Sequence, residues 1–194
     1  MHETTTATPA TNIFGPIALS LSGGGYRAAT FHLGTLEMLD KLALLKDVKY
    51  LSTVSGGSIV GAFYAVRGQG DFSGFRTSFE TFLLNNAIKI GLDNLLSEPF
   101  VKEQGQMPSL MRAAACVYDS EHLYNGKTLA DIAAVGGHLD EVIINATEMR
   151  GGGSFRFVQT SNKSVNTGKN DLHVDDEIAN VIRIADAVAS SSCF

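Results

Sequence analysis

Two short stretches carry residue types that can do chemistry together. The first is Ser22-Gly23-Gly24-Gly25-Tyr26-Arg27, and the second is Thr53-Val54-Ser55-Gly56-Gly57-Ser58, with Ser55 thirty residues beyond Gly25. A serine hydroxyl attacks a carbonyl carbon effectively only when a neighbouring base takes its proton and fixed donors hold the oxyanion that forms. The first stretch offers donors. Its glycine run admits backbone angles closed to other residues and lets a ligand approach the amides. Arg27, two residues beyond Gly25, adds charge or fixes the turn. The second stretch offers the nucleophile. It is a near match to the G-x-S-x-G elbow, in which a serine sits on a sharp strand-to-helix turn. Thr53 replaces the first glycine of that pattern and Gly57 keeps the last.

Elements of regular structure must hold these turns. Ile17 to Leu21 is a short apolar run that predicts a strand. Residues 27–45 have helical spacing, with Phe31, Thr35, Met38, Leu42 and Leu45 as one apolar stripe and Glu37 four residues before Lys41 on the wet side. Val48 to Val54 predicts the next strand, and residues 59–66 a buried helix behind the elbow. Both turns thus fall where a strand hands over to a helix. In an open parallel sheet that edge binds ligands, and the free N–H groups of a helix N-terminus favour negative charge there.

The paired motifs resemble the patatin-like phospholipase family. Its members carry a G-G-G-x-[R/K] loop after the first strand and a G-x-S-x-G elbow after the next. Lower-specificity likenesses continue at Gly126 to Asp131, at Asn145-Ala146-Thr147 and over residues 185–194, ADAVASSSCF. The resemblance implies Ser55 as nucleophile, Gly23, Gly24 and Gly25 with Arg27 as the oxyanion hole, and Thr53 and Gly57 as the elbow. It implies a lipid acyl hydrolase of phospholipase A or lysophospholipase type, acting on a phospholipid or other lipid ester and meeting a membrane or micelle surface transiently. The implied base is an aspartate in a D-G-G or D-G-A motif, which the family carries after the segment matched at 185–194. No Asp-Gly dipeptide occurs in the chain. The expectation is therefore that the aspartate lies beyond Phe194 and that the chain is a C-terminally truncated catalytic domain.

Other readings stay open. Ser55, Asp140 and His173 follow the Ser, Asp, His chain order of an α/β-hydrolase esterase. A catalytically inactive lipid-binding or interaction domain of the same fold also fits. Nucleotide binding by the glycine turn is disfavoured, because the G-K-[S/T] ending of a P-loop is missing. His32 reads as a packed helix residue, His122 and His138 as solvated loop residues, and Asp186 as a helix residue.

The 194 residues can bury one core, and hydrophobic residues make up 44%, an ordinary globular share. The net charge of −5 argues against nucleic acid. Two cysteines, Cys116 and Cys193, make neither a disulfide framework nor a metal site, and no residue pattern requires a metal or cofactor. No run approaches the roughly 20 apolar residues of a membrane span, and no secretory leader is evident, which predicts a cytoplasmic protein. Residues 1–15 read as a loose tail and 16–194 as a single domain. Further along, residues 72–96 read as two apolar helices broken near Gly91, serving as core or as an acyl-chain wall. Residues 109–117 read as a helix and 118–127 as a loop. Thr128 and Asp131 have capping-box spacing. Residues 141–146 and 155–160 read as strands, and helix resumes from Asp175 with a break before Ala185. Strands alternating with helices predict an α/β fold: three layers, α/β/α, around a mainly parallel central sheet.

Overall fold

The computed structural model describes residues 15–85, 109–161, 168–169 and 172–192. The N-terminal tail to residue 14, residues 88–96 of the apolar segment, the polar stretch 99–108, Asp171 and Cys193 lie outside the described residues.

The chain runs β1 (Ile17–Leu21), α1 (Gly25–Lys41), β2 (Val48–Val54), α2 (Gly56–Phe63), α3 (Phe72–Leu84), α4 (Leu110–Tyr118) and α5 (Leu129–Ala134). It continues through β3 (Glu141–Glu148), β4 (Gly153–Thr160), β5 (Gly168–Lys169), β6 (Leu172–His173), α6 (Asp176–Val181) and α7 (Ile184–Ser192). The strands form one sheet in sequence order, β1 to β6. β1, β2 and β3 are parallel, with Leu21 beside Thr53 and Thr53 beside Ile144. β3 to β6 are antiparallel. The α/β class holds, and the parallel part is the half that carries the two turns. Because β1, β2 and β3 advance in one direction, right-handed crossovers put their connecting helices on a single face. That face carries Leu21, Leu51, Thr53, Val142 and Ile144, all buried. The opposite face, with Ala18, Tyr50, Ser52, Val54, Ile143 and Asn145, is exposed or half-buried. The described helices that pack on the sheet therefore cover this one face.

α2 is buried at all eight positions, as a helix apolar all round must be. Gly61 makes this possible, since a β-carbon there would lie 2.6 Å from Thr53 Cγ2. On its outer side Phe63 meets Phe75 and Phe79 of α3 at ring-centroid distances of 5.4 and 6.0 Å. The described half of the apolar segment is thus core. Asp71 caps α3 by accepting the Gly74 N–H at 2.9 Å. The Thr128 and Asp131 capping box forms as the spacing predicts, with Asp131 accepting the Thr128 N–H at 2.8 Å.

Two expectations are corrected. The stripe Phe31, Thr35, Met38 and Leu42 is not the buried face of α1. Phe31 is 73% exposed, and the face turned inward is Ala29, His32, Leu33 and Leu36. Both rows have helical period, so periodicity could not choose between them. The neighbouring helix α2 does so. His138 is not solvated. Its Nδ1 donates to Val48 O and its Nε2 accepts from the Tyr64 hydroxyl, both at 2.7 Å. The backbone oxygen can only accept, which fixes the neutral tautomer. The stretch 118–127 is likewise tied down. Leu123 and Tyr124 are fully buried, and the Tyr124 hydroxyl donates to Ile59 O at 2.8 Å.

His138 makes stability depend on pH. Burial is the largest influence and lowers its pKa. The bond to Val48 works in the opposite direction, and the charge of Lys49 adds to the lowering. Folded His138 thus binds its proton less readily than the unfolded chain does. Its contribution is fully present above the ordinary histidine value of about 6.5 and is lost as pH falls through and below it. The melting temperature of the native protein should therefore fall between about pH 7.5 and 5.5 by more than that of His138→Gln. Parallel slopes in paired melting curves would refute this.

Candidate active site

Ser55 is the residue on which the local geometry converges. It joins β2 to α2 with φ 53° and ψ −122°, a positive φ that side chains other than glycine rarely take. Such angles cost on the order of 1–3 kcal/mol and persist only where the surroundings impose them. Serine at a helix start usually caps it, its oxygen accepting an N–H of the first turn. Here the Ser55 carbonyl accepts the Ser58 N–H at 2.8 Å, while its side chain makes no capping bond. The turn directs the hydroxyl away from the helix that it begins.

The glycine turn lies directly against this serine. A β-carbon on Gly23 would sit 3.1 Å from Ser55 Cβ and 3.6 Å from Ser55 Oγ. One on Gly56 would sit 2.1 Å from Gly25 O, and one on Gly57 would sit 2.3 Å from Leu21 O. The two turns are in backbone contact, and only glycines allow it. Gly24 and Gly25 take φ 139° and 63°, and α1 begins at Gly25. Two helix N-termini therefore meet beside Ser55. Neither has a side-chain cap or an acidic residue in its first turn. Both present partial positive charge and N–H donors. Arg27 is exposed in the first turn of α1, where a cation opposes the helix dipole.

Four further side chains brace the turns, and of these only Ser191 was not singled out by sequence reasoning. His32 on α1 is buried, and its Nε2 lies 3.1 Å from Ser22 O and 3.3 Å from Ser22 Oγ, so it holds the start of the glycine turn. Thr53, where the elbow pattern has glycine, lies in regular strand and needs no special angles. Its hydroxyl donates to Ile143 O at 3.1 Å and accepts from Ser58 at 3.0 Å. Asn145 Nδ2 donates to Thr53 O and Ser52 Oγ at 2.9 and 3.0 Å. Ser191 reaches the elbow from α7.

The structure separates the other candidates from Ser55. The Asp140 N–H bonds to Lys49 O, at the start of β2, which places Asp140 about 20 Å from the elbow at the rise of a strand. That removes Asp140 as a partner in a Ser55, Asp140, His173 arrangement. Asp186 is a helix residue as expected, and both its carboxylate oxygens bind Arg183. His122 is exposed, 3.6 Å from Glu121.

A groove of about 810 Å³ opens beside Ser55. Val54, Leu110, Met111, Ala146 and Met149 make its walls largely apolar, with Ser109, Asn145, Thr147, Ser190 and Ser191 as polar points. Among the described residues no helix is long and apolar enough to cross a membrane.

Comparison with known proteins agrees with this fold. Two structures of human GIVD cytosolic phospholipase A2 in complex with methyl gamma-linolenyl fluorophosphonate, one also with terbium chloride, superpose with a TM-score of 0.63 at 19% identity. They cover 92% of this chain, which spans 30% and 29% of theirs, under a third of their length. ExoU of Pseudomonas aeruginosa, solved with SpcU, gives 0.37 at 16% identity over 92% of this chain and 39% of that one, so the fold likeness is carried by the first two. No curated protein sequence matches the chain. The family model described as patatin-like phospholipase matches residues 19–194. The chain belongs to the patatin-like phospholipase family.

Proposed function

We propose that this chain carries the nucleophile and the oxyanion-binding turn of a serine lipid acyl hydrolase. The single observation that carries the reading is the conformation of Ser55, strained, with its hydroxyl not used as a cap, where two helix N-termini converge. In this reading Ser55 Oγ attacks the ester carbonyl carbon as a base takes its proton. The carbonyl oxygen becomes an oxyanion held by amides of Gly23, Gly24, Gly25 and the start of α2. Arg27 stands at the rim with a positive charge suited to an anionic headgroup or to the developing charge. The oxyanion collapses, the alcohol leaves with a proton, and water then attacks the acyl-serine to release the fatty acid and restore Ser55. One removed oxyanion donor in such sites costs ~10²–10³ in rate, so prearranged amides are a large part of the catalysis.

The groove supports a lipid rather than a small polar ester. Its walls are mainly aliphatic and thioether side chains, which favour burial of an acyl chain. The lipid analogue bound by the human relative is consistent with that choice. The reading leaves proton abstraction to a group outside the described residues. Residues 16–194 are taken as one catalytic domain and 1–15 as a tail.

The test is fluorophosphonate labelling of the complete natural protein, followed by peptide mapping. A phosphonate adduct on Ser55 is the expected result. Lipid binding without any adduct would favour the inactive lipid-binding domain, and an adduct on another serine would overturn the assignment.

A further inference from the structure

Ser191 stands near the end of α7, yet its hydroxyl lies inside the elbow. The Ser55 N–H donates to Ser191 Oγ at 2.9 Å, and Ser191 Oγ in turn donates to Asn145 O. Ser58 Oγ is 2.9 Å from the same oxygen. The Ser55 amide needs this partner. The β1–β2 ladder ends at Leu21 beside Thr53, and the β2–β3 ladder ends at Val54 beside Asn145. One residue further on, the Ser55 N–H bonds to Ser191 Oγ and not directly to a strand carbonyl. Ser191 bridges this amide to the Asn145 carbonyl of β3, accepting from the one and donating to the other.

Counting protons defines what this hydroxyl can do. Thr53 gives its proton to Ile143 O, and Ser191 gives its own to Asn145 O. Ser58 has one proton, which serves Thr53 or Ser191. Ser191 therefore faces Ser55 only as an acceptor of its backbone N–H. It is tied to that amide and to β3, not to the Ser55 hydroxyl.

We propose that Ser191 is a positioning residue of this site, pinning the Ser55 amide to β3 and so holding the elbow at its positive φ. The inference rests on Ser55 as the nucleophile. It concerns the backbone behind that nucleophile, which can be measured whether or not Ser55 reacts. The pin also explains why the last described helix bears on chemistry at the second strand. α7 contributes the one side chain that closes the gap where the parallel ladders end.

The experiment compares Ser191→Ala, Ser191→Thr and Ser192→Ala in the complete natural protein. Ser192 is a neighbour whose hydroxyl bonds only to Val188 O and Tyr118, so its loss is the control. Two quantities are read. They are amide hydrogen exchange at Ser55 and the rate of fluorophosphonate labelling against probe concentration. Ser191→Ala should raise exchange at Ser55 by about tenfold, the worth of one hydrogen bond. It should slow maximal labelling by about 10–100-fold, as a small misplacement of a reacting atom does, while the half-saturating probe concentration changes by less than about twofold. Ser191→Thr keeps the hydroxyl and should restore both, and Ser192→Ala should change neither. If alanine prevents folding, Ser191→Cys, a weaker acceptor of similar size, should give the same losses in reduced measure. Unchanged exchange at Ser55 in Ser191→Ala overturns the pin. Raised exchange with unchanged labelling overturns its positioning role. Raised exchange in a protein whose native form is never labelled at Ser55 supports the pin and defeats the nucleophile reading instead.

Discussion

Ser55→Gly is expected to melt at a higher temperature than the native protein and to be inert toward a fluorophosphonate. The backbone at Ser55, φ 53° and ψ −122°, is a conformation that glycine takes freely and serine takes at a cost on the order of 1–3 kcal/mol. Glycine also gives the unfolded chain more freedom, which offsets about 0.5–1 kcal/mol of that relief. The net gain is about 1 kcal/mol, or about 2–4 °C in a chain of this size. Ser55→Ala separates strain from chemistry. It keeps the β-carbon and the strain, so its stability should stay within about 0.5 kcal/mol of native. Both variants remove the hydroxyl and should lower ester turnover by more than about 10³-fold. If glycine proves no more stable than alanine, the turn is not strained as its angles indicate. If alanine still reacts, Ser55 is not the nucleophile.

What the sequence disclosed follows from where the information resides. Gly23-Gly24-Gly25 and Ser55-Gly56-Gly57 are legible because the backbone dictates those residues locally. Glycine is required where two turns touch through their main chains, and the motif announces itself within a few positions. The order of strands and helices is legible for the same reason, since apolar runs and capping residues such as Thr128 with Asp131 act at short range. The buried face of α1 was not legible. Two apolar rows share one period, and only packing against α2 chooses Ala29, Leu33 and Leu36. The braces behind the site were hidden more deeply. Ser191 lies 136 residues from Ser55, and nothing in the run Ser190-Ser191-Ser192 marks which hydroxyl turns inward. The one available hint was a cluster of small polar residues in a buried apolar helix, where a hydroxyl needs a partner. His138 was hidden likewise, because the Tyr64 and Val48 groups that hold it come from distant parts of the chain.

Gly56→Ala should be the most damaging small substitution in the site. Its β-carbon would lie 2.1 Å from Gly25 O and 2.9 Å from Gly25 C and N, all of them backbone atoms. No side chain can rotate to make room, so the elbow and the glycine turn must move apart. Overpacking of this kind costs about 3 kcal/mol, which in a chain of this size lowers melting by about 6–12 °C. Gly25→Ala is the informative contrast. No atom lies within 4 Å of its added β-carbon, and only its φ of 63° opposes the change. That costs about 1–2 kcal/mol, the ordinary penalty of a left-handed residue. Measured below the melting point of both, Gly56→Ala should abolish labelling of Ser55, while Gly25→Ala should retain part of it. A Gly56→Ala protein melting within about 2 °C of native would mean that the turns are not in contact. The expected ranking has a chemical meaning. Contact that excludes a methyl group at position 56 is the same contact that brings the start of α1 and the start of α2 to one place. Separating them by the width of a methyl would leave each helix N-terminus aimed at its own patch of solvent. A developing oxyanion beside Ser55 would then lose the donors of one helix, and the strained serine would have less to act with.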